Sequence, residues 1–432
     1  MTPISIGLSA VGGLFVLLFL RQLVWFALGV VGSIGNVTLN NLTVAKLVSG
    51  TAFFDTASSY NLSVVPLFIL MGEVASGSRM SAELFSAARV MLSGVRGGLA
   101  MASIAASGAF GAICGSSIAT AASMTRIAMP EMDKAGYRGG FAAASVAAGG
   151  SLGILIPPSI ILVIYGSVAE QSVSRLFAAS ILPGVVLMTL YMVIAYVRAK
   201  YMDEAPIGSR TSFIQKLRAL REPWQFILLF AVTIGGIYAG IFSPNEAASV
   251  GAFGAIILGF FKRTLSWANL ANAFKNSVIV SCALFMIIVG ATIFANFIVQ
   301  TRMPDTLLHI SQQADLPAWT IMAIIIVIYI VLGCFLEGIG MVLITVPVFL
   351  PVVVGFGFDP IWFGVIVVVL VELGLITPPV GMNLFIIRAQ VPSLSMREIY
   401  RGILPFLFAP MILLAILFAF PTLVLWLPGI LY

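Results

Sequence analysis

A double proline interrupts an apolar run at two places in this chain, and nearly the same residues lead into it both times. Leu152–Pro158 reads LGILIPP, and Leu373–Pro379, 221 positions later, reads LGLITPP. Proline has no backbone N–H and its ring clashes with the preceding turn, so neither run continues as an unbroken helix. Within lipid, backbone groups freed by such a break are tolerated only where protein or a polar cavity takes them up. Matched breaks in the two halves of a chain point to the binding site of a secondary transporter.

Lipid is implied by composition. The 432 residues are 60% hydrophobic and 9% charged, too apolar for a soluble domain, so the chain reads as an all-α polytopic membrane protein. The longest polar stretch, about 198–222, reads as a loop and leaves no segment for a second domain. Cys114, Cys282 and Cys334 lie in apolar segments at spacings that suit neither a metal site nor a disulfide framework. His309, the single histidine, sits in a polar connector. The first five residues lack the basic region of a cleavable signal, so the first apolar run is expected to remain as a span. The net charge of +6 belongs to loops and is no nucleic-acid footprint.

Apolar runs bounded by charge give about ten expected spans: 4–20, 22–38, 58–77, 139–168, 175–197, 223–241, 246–261, 277–299, 361–390 and 404–428. Two further stretches, 98–129 and 318–351, carry polar or glycine-rich centres and are expected to be re-entrant hairpins. Segments 79–97 and 302–316 are expected to be amphipathic arms at the inner and outer surfaces. With both termini outside, 19 of the 22 Lys and Arg, Arg210 among them, fall in inner loops. Only Lys46, Arg175 and Arg302 fall outside, a strong positive-inside bias. Treating either hairpin as one full span would flip everything after it and spoil that division.

The offset of 221 carries past the prolines without a gap. Pro130 falls on Pro351, Gly136 on Gly357, Tyr137 on Phe358, Phe141 on Trp362, and the tip Ser116–Ser117 on Glu337–Gly338. Two repeats follow, 1–210 and 211–432, each with five spans and one hairpin. An odd number of spans turns the second repeat upside down, so an inverted-topology repeat is expected.

A broken helix offers carbonyl oxygens at one half-helix end, suited to a small cation, and N–H groups at the other, suited to an anion. Around the first break, Gly115, Ser116 and Ser117 at the tip face Gly153 and Pro157; around the second, Gly338 and Gly340 face Gly374, Thr377 and Pro378. These are the candidate Na+ ligands, since converging carbonyls need no acidic partner. Candidate substrate contacts are Ser116, Ser117, Thr120, Arg126, Glu337 and Asn383. Close helix packing is the competing reading for the small residues of 119–122 and 142–150. For Arg126 the competing reading is snorkelling to inner headgroups. Glu73 and Glu372 are the other carboxylates expected at membrane depth; the first reads equally as a cap, the second as a structural hydrogen-bonding group.

The runs Gly111–Ser123 (GAICGSSIATAAS), Ile127–Tyr137, Gly153–Ser159, Ser243–Ala248, the stretch from Trp362, and Gly374–Asn383 together resemble the large membrane subunit of TRAP (tripartite ATP-independent periplasmic) transporters. The resemblance covers nearly the whole chain. Cys114 stands where the family often has serine, so a hydroxyl at that position is missing. The resemblance implies a bacterial inner-membrane, Na+-coupled importer with an elevator mechanism. It also implies a small four-helix membrane subunit and a soluble periplasmic binding protein that delivers a carboxylate or sulfonate. Two alternatives stay open on the residues alone: a stand-alone ion-coupled carboxylate transporter, and an intramembrane enzyme. The second lacks a paired acid–base or metal constellation. A channel suits two sealed tips less well than alternating access does.

Overall fold

The two proline breaks appear where the sequence puts them. The computed structural model describes residues 2–208 and 211–432; Arg210 and the junction of the two expected repeats lie outside the described residues. Helix Gly139–Ser151 passes through a 3-10 turn, Leu152–Ile154, and resumes as Ile160–Val168. Helix Pro360–Ile376 likewise stops and resumes as Met382–Gln390. Pro157–Pro158 and Pro378–Pro379 are both cis.

Ahead of each break stands a pair of helices joined by a short turn, Gly98–Cys114 with Ser117–Lys134 and Ala318–Gly333 with Gly338–Gly355. Their second limbs run past the expected ends at 129 and 351, because Pro130 and Pro351 are carried inside the helix. Such prolines are tolerated where surrounding groups take up the freed carbonyl. Local geometry keeps the offset of 221. Ser116 caps its helix by accepting from Ala119 N (3.4 Å), and Glu337 caps the other by accepting from Gly340 N (3.3 Å). Gly136 and Gly357 both adopt positive φ, 79° and 86°, a left-handed conformation that glycine adopts without a Cβ penalty.

Each hairpin meets its broken helix at a crossing of two glycines. A Cβ on Gly111 would lie 2.4 Å from the Cα of Gly153, and one on Gly333 would lie 2.9 Å from the Cα of Gly374. No side chain fits at either place, which is how small residues let helix backbones touch.

Around these units, the longest helix, Trp267–Gln300, packs along Val24–Leu39. At 34 residues it is about 50 Å long. Asn36, buried between them, donates to Gly32 O (2.9 Å) and across to Ile293 O (3.4 Å). The arms are helices Met80–Met91 and Met303–Gln313.

Three sequence expectations change, at 39–57, 404–428 and 198–222. By length and apolarity, five helices are fit to cross a membrane among the described residues: Val173–Tyr201, Pro244–Phe261, Trp267–Gln300, Gly338–Gly355 and Met396–Ala419. The pair Leu42–Ser58 and Asn61–Gly77, bent by 58°, makes a sixth, while several expected spans are shorter apolar helices. Residues 39–57, left between the expected spans 22–38 and 58–77, contain the helix Leu42–Ser58, which Asn41 caps by accepting from Val44 N at 3.0 Å. The expected span 404–428 begins inside Met396–Ala419, which passes through a 3-10 turn at Leu404–Leu407, and it ends in a separate helix, Thr422–Leu431.

The expected loop at 198–222 is also corrected: it opens inside helix Val173–Tyr201 and contains a short helix, Phe213–Ala219. Arg198, at its start, is 5% exposed and lies 5.0 Å from the Phe141 ring centre. It donates to Glu204 Oε1 at 2.7 Å and to the carbonyl of Gly402. Removing one partner of a buried ion pair strands the other, at a cost of about 3–5 kcal/mol. Arg198→Ala is therefore expected to lower thermal stability in detergent markedly, while Arg198→Ala with Glu204→Leu recovers part of the loss; equal melting temperatures for wild type and Arg198→Ala would contradict this.

Candidate binding site between the hairpin tips

Both tips open onto one cavity of about 380 Å3. The first tip contributes Gly115, Ser116 and Ser117, and the second contributes Glu337 and Gly338. Ser117 and Gly338 are the first residues of their helices, so two helix N-termini reach the same space. Free N–H groups at a helix start, together with the helix dipole, favour a negatively charged group there. The walls are apolar, from Ile69, Ile161, Val280, Leu284, Leu375 and Met382, and Glu73 adds a second carboxylate.

The first tip sits directly on the first break. Gly115, at φ 63°, accepts from Ile160 N at 3.4 Å. A methyl placed on Gly153 would come within 2.8 Å of Thr120 Oγ1 and 3.0 Å of the Ser116 carbonyl oxygen. Thr120 Oγ1 is buried and has no hydrogen-bond partner among the described residues. A carbonyl and an orphaned hydroxyl thus converge beside Gly153, a donor set of the oxygen type that hard cations take. Thr120 belongs to this convergence and does not line the cavity.

The second tip is built differently. Glu337 is half-buried with one oxygen used on Gly340 N, and Gly338 lies under Val371 and Ile161. Around the break, Thr377 Oγ1 donates to Leu373 O at 2.5 Å, and Cys334 Sγ reaches the Pro378 carbonyl at 3.7 Å. Gly153, Pro157, Gly340, Gly374, Thr377 and Pro378 all lie outside the cavity lining.

Asn383 is fully buried and bonded to Ser117 Oγ, its Nδ2 donating at 2.7 Å, with a longer bond to Ala147 O at 3.4 Å. Its amide joins the second broken helix to the first hairpin. Arg126 is exposed and lines a neighbouring chamber. Cys114, expected as a small residue of an apolar segment, lines the cavity, and so does Glu73, expected at membrane depth either as a functional carboxylate or as a cap. Glu372 is fully buried in helix Pro360–Ile376, and neither oxygen has a partner among the described residues.

The fold has a counterpart among solved structures. It superposes on the YdaH transporter of Alcanivorax borkumensis with a TM-score of 0.59, covering 89% of this chain and 90% of that one at 15% identity. The sequence matches the model of the tripartite ATP-independent periplasmic transporter, DctM component, over residues 11–423, and the chain belongs to that family. It is thus a large permease subunit and not an enzyme. It is 33% identical to the C4-dicarboxylate TRAP transporter large permease protein DctM of Pseudomonas aeruginosa, over 87% of this chain and 88% of that one. It is 29% identical to the sialic acid TRAP transporter large permease protein SiaM of Vibrio cholerae, over 86% of each.

The Ser117–Asn383 bond gives a direct test of how the tip is held. Ser117→Ala, Asn383→Ala and the double variant should be non-additive by about 1 kcal/mol in detergent unfolding. Strict additivity would show that the two groups do not interact.

Proposed function

We propose that this chain imports a small organic anion, of the carboxylate or sulfonate class, driven by a Na+ gradient and delivered by a periplasmic binding protein. The observation that carries the reading is the shared cavity: two helix N-termini for an anion, beside oxygen ligands for a cation. Relatives named for C4-dicarboxylates and sialic acid support the substrate class. A cavity of about 380 Å3 lies within the range of small-ligand pockets.

Coupling has a physical cause in this arrangement. Glu337 lines the cavity, so an organic anion entering alone meets a carboxylate in an apolar-walled space, where Coulomb repulsion is poorly screened. A Na+ held near Gly115, Ser116, Ser117, Gly153 and Pro157, and another near Gly338, Gly340, Gly374, Thr377 and Pro378, offsets that charge and makes room for the substrate between the tips. The two halves act as an inverted-topology repeat with both termini periplasmic in the bacterial inner membrane. Hairpins and broken helices form a moving core that slides, elevator fashion, against the frame of Trp267–Gln300 and Val24–Leu39. A small four-helix membrane subunit braces that frame.

Ser116→Ala and Glu337→Gln are each expected to raise the half-saturating Na+ concentration for uptake about tenfold, equivalent to about 1.4 kcal/mol, in proteoliposomes holding the whole complex. Wild-type Na+ activation in both variants would overturn the assignment. Uptake by this chain alone, indifferent to any binding protein, would favour a stand-alone carrier. Thermal-shift screening of the binding protein encoded beside it would identify the anion.

A further inference from the structure

A second chamber lies beside the cavity between the tips, with Glu73 lining both. This chamber is polar, of about 440 Å3, and three helices line both spaces. On Trp267–Gln300, Leu284 and Val280 line the cavity, while Asn276, Asn272 and Asn269 line the chamber. Their spacing of three or four residues puts all five on one helix face. On Ser117–Lys134, Ile118 and Ala122 line the cavity, and Ser123 and Arg126 line the chamber. On Val64–Gly77, Ile69 belongs to the first and Ser76 to the second, and Glu73 borders both. Asn276 Nδ2 donates to Glu73 Oε2 at 3.1 Å, a bond drawn across the neck between the two spaces. The route therefore passes from apolar walls, through a hydrogen-bonded neck, to amides and hydroxyls.

Two guanidinium groups, Arg126 and Arg79, line the chamber. Arg126 uses its Nε on the Ala122 carbonyl at 3.3 Å. Among the described residues, neither arginine has a carboxylate within 4.0 Å. Nearby cations behave otherwise: Arg89 is bound to Glu131 at 2.8 Å and Lys262 to Glu83 at 2.6 Å. Two unpaired guanidiniums facing a polar chamber suit a carboxylate or sulfonate, which they can grip through two parallel N–H bonds.

We propose that this chamber is a second binding station for the transported anion, where Arg79 and Arg126 hold its acid group once it has passed the Glu73–Asn276 neck. The proposal rests on the reading of the chain as an organic-anion permease. It lies on the face that carries the Met80–Met91 arm, so its occupancy governs affinity from that side.

The test is exchange transport by the whole complex in proteoliposomes sorted by orientation, with radiolabelled succinate and N-acetylneuraminate as probes. The quantity read is the ratio of the KM on the arm side to the KM on the opposite side. Arg126→Gln and Arg79→Asn are each expected to raise that ratio about tenfold, the loss of one charge-assisted pair. Asparagine is used at Arg79 because that residue holds a left-handed φ of 66°. Arg126→Lys should recover part of the effect, and Asn272→Asp, which adds a like charge to the chamber, should raise the ratio without removing a guanidinium. An unchanged ratio in all variants would mean that the arginines serve only lipid headgroups, and would overturn the proposal. Both KM values rising by one factor would overturn it too, by assigning the arginines to the central cavity. A wild-type complex that transports no anion retained by its binding protein would overturn the permease reading itself, a result distinct from an unchanged ratio.

Discussion

A helix cannot stop in apolar surroundings unless something takes its last free carbonyls and its first free N–H groups. This chain stops helices there four times, at two hairpin tips and two double prolines. The solutions are local and specific. Ser116 and Glu337 cap the helices that start at the tips, Ser159 Oγ donates to Ile154 O at 2.5 Å, and Thr377 Oγ1 closes onto Leu373 O. Gly115 O takes the N–H of Ile160, which fixes the first tip on the first break. Everything else that bears on transport follows from these closures, because they set which backbone groups remain to face the cavity.

Hydrogen bonds between distant parts of the chain then lock the two halves together. Asn383 from the second broken helix holds Ser117 of the first hairpin, and Tyr165 from the first broken helix donates to Pro360 O at the start of the second, at 2.5 Å. Arg198 ties the end of its helix to Gly402 and Glu204. These are polar links in a mostly apolar interior, where a satisfied pair is strong and a broken one is expensive. The shared cavity exists because both halves are held in this mutual register.

Much of the local geometry was legible in the sequence. Double prolines, tip residues and the positive-φ pair Gly136 and Gly357 all obey the offset of 221, because local backbone chemistry determines each of them. Contacts between remote segments were not legible. Nothing in the local sequence tells that Asn383 spends its amide on a residue 266 positions away, or that Thr120 turns from the cavity toward Gly153. Charge misled where it was buried: Arg198 read as a loop residue although two aromatic rings and Glu204 enclose it. Polar residues misled in the other direction in Leu42–Ser58, whose helix is built despite a low apolar contrast. Hydropathy does not separate a continuous helix from two shorter ones bent at a break, as at Phe408–Ala419 and Thr422–Leu431.

The glycine crossings have a mechanical meaning. At Gly111 with Gly153, and at Gly333 with Gly374, backbone lies on backbone. Elsewhere in a packed interior a small displacement is absorbed when side chains change rotamer. At these two seams there is no rotamer to change. Each hairpin and its broken helix therefore behave as one stiff lever, and any flexing must be taken up at joints where longer side chains meet.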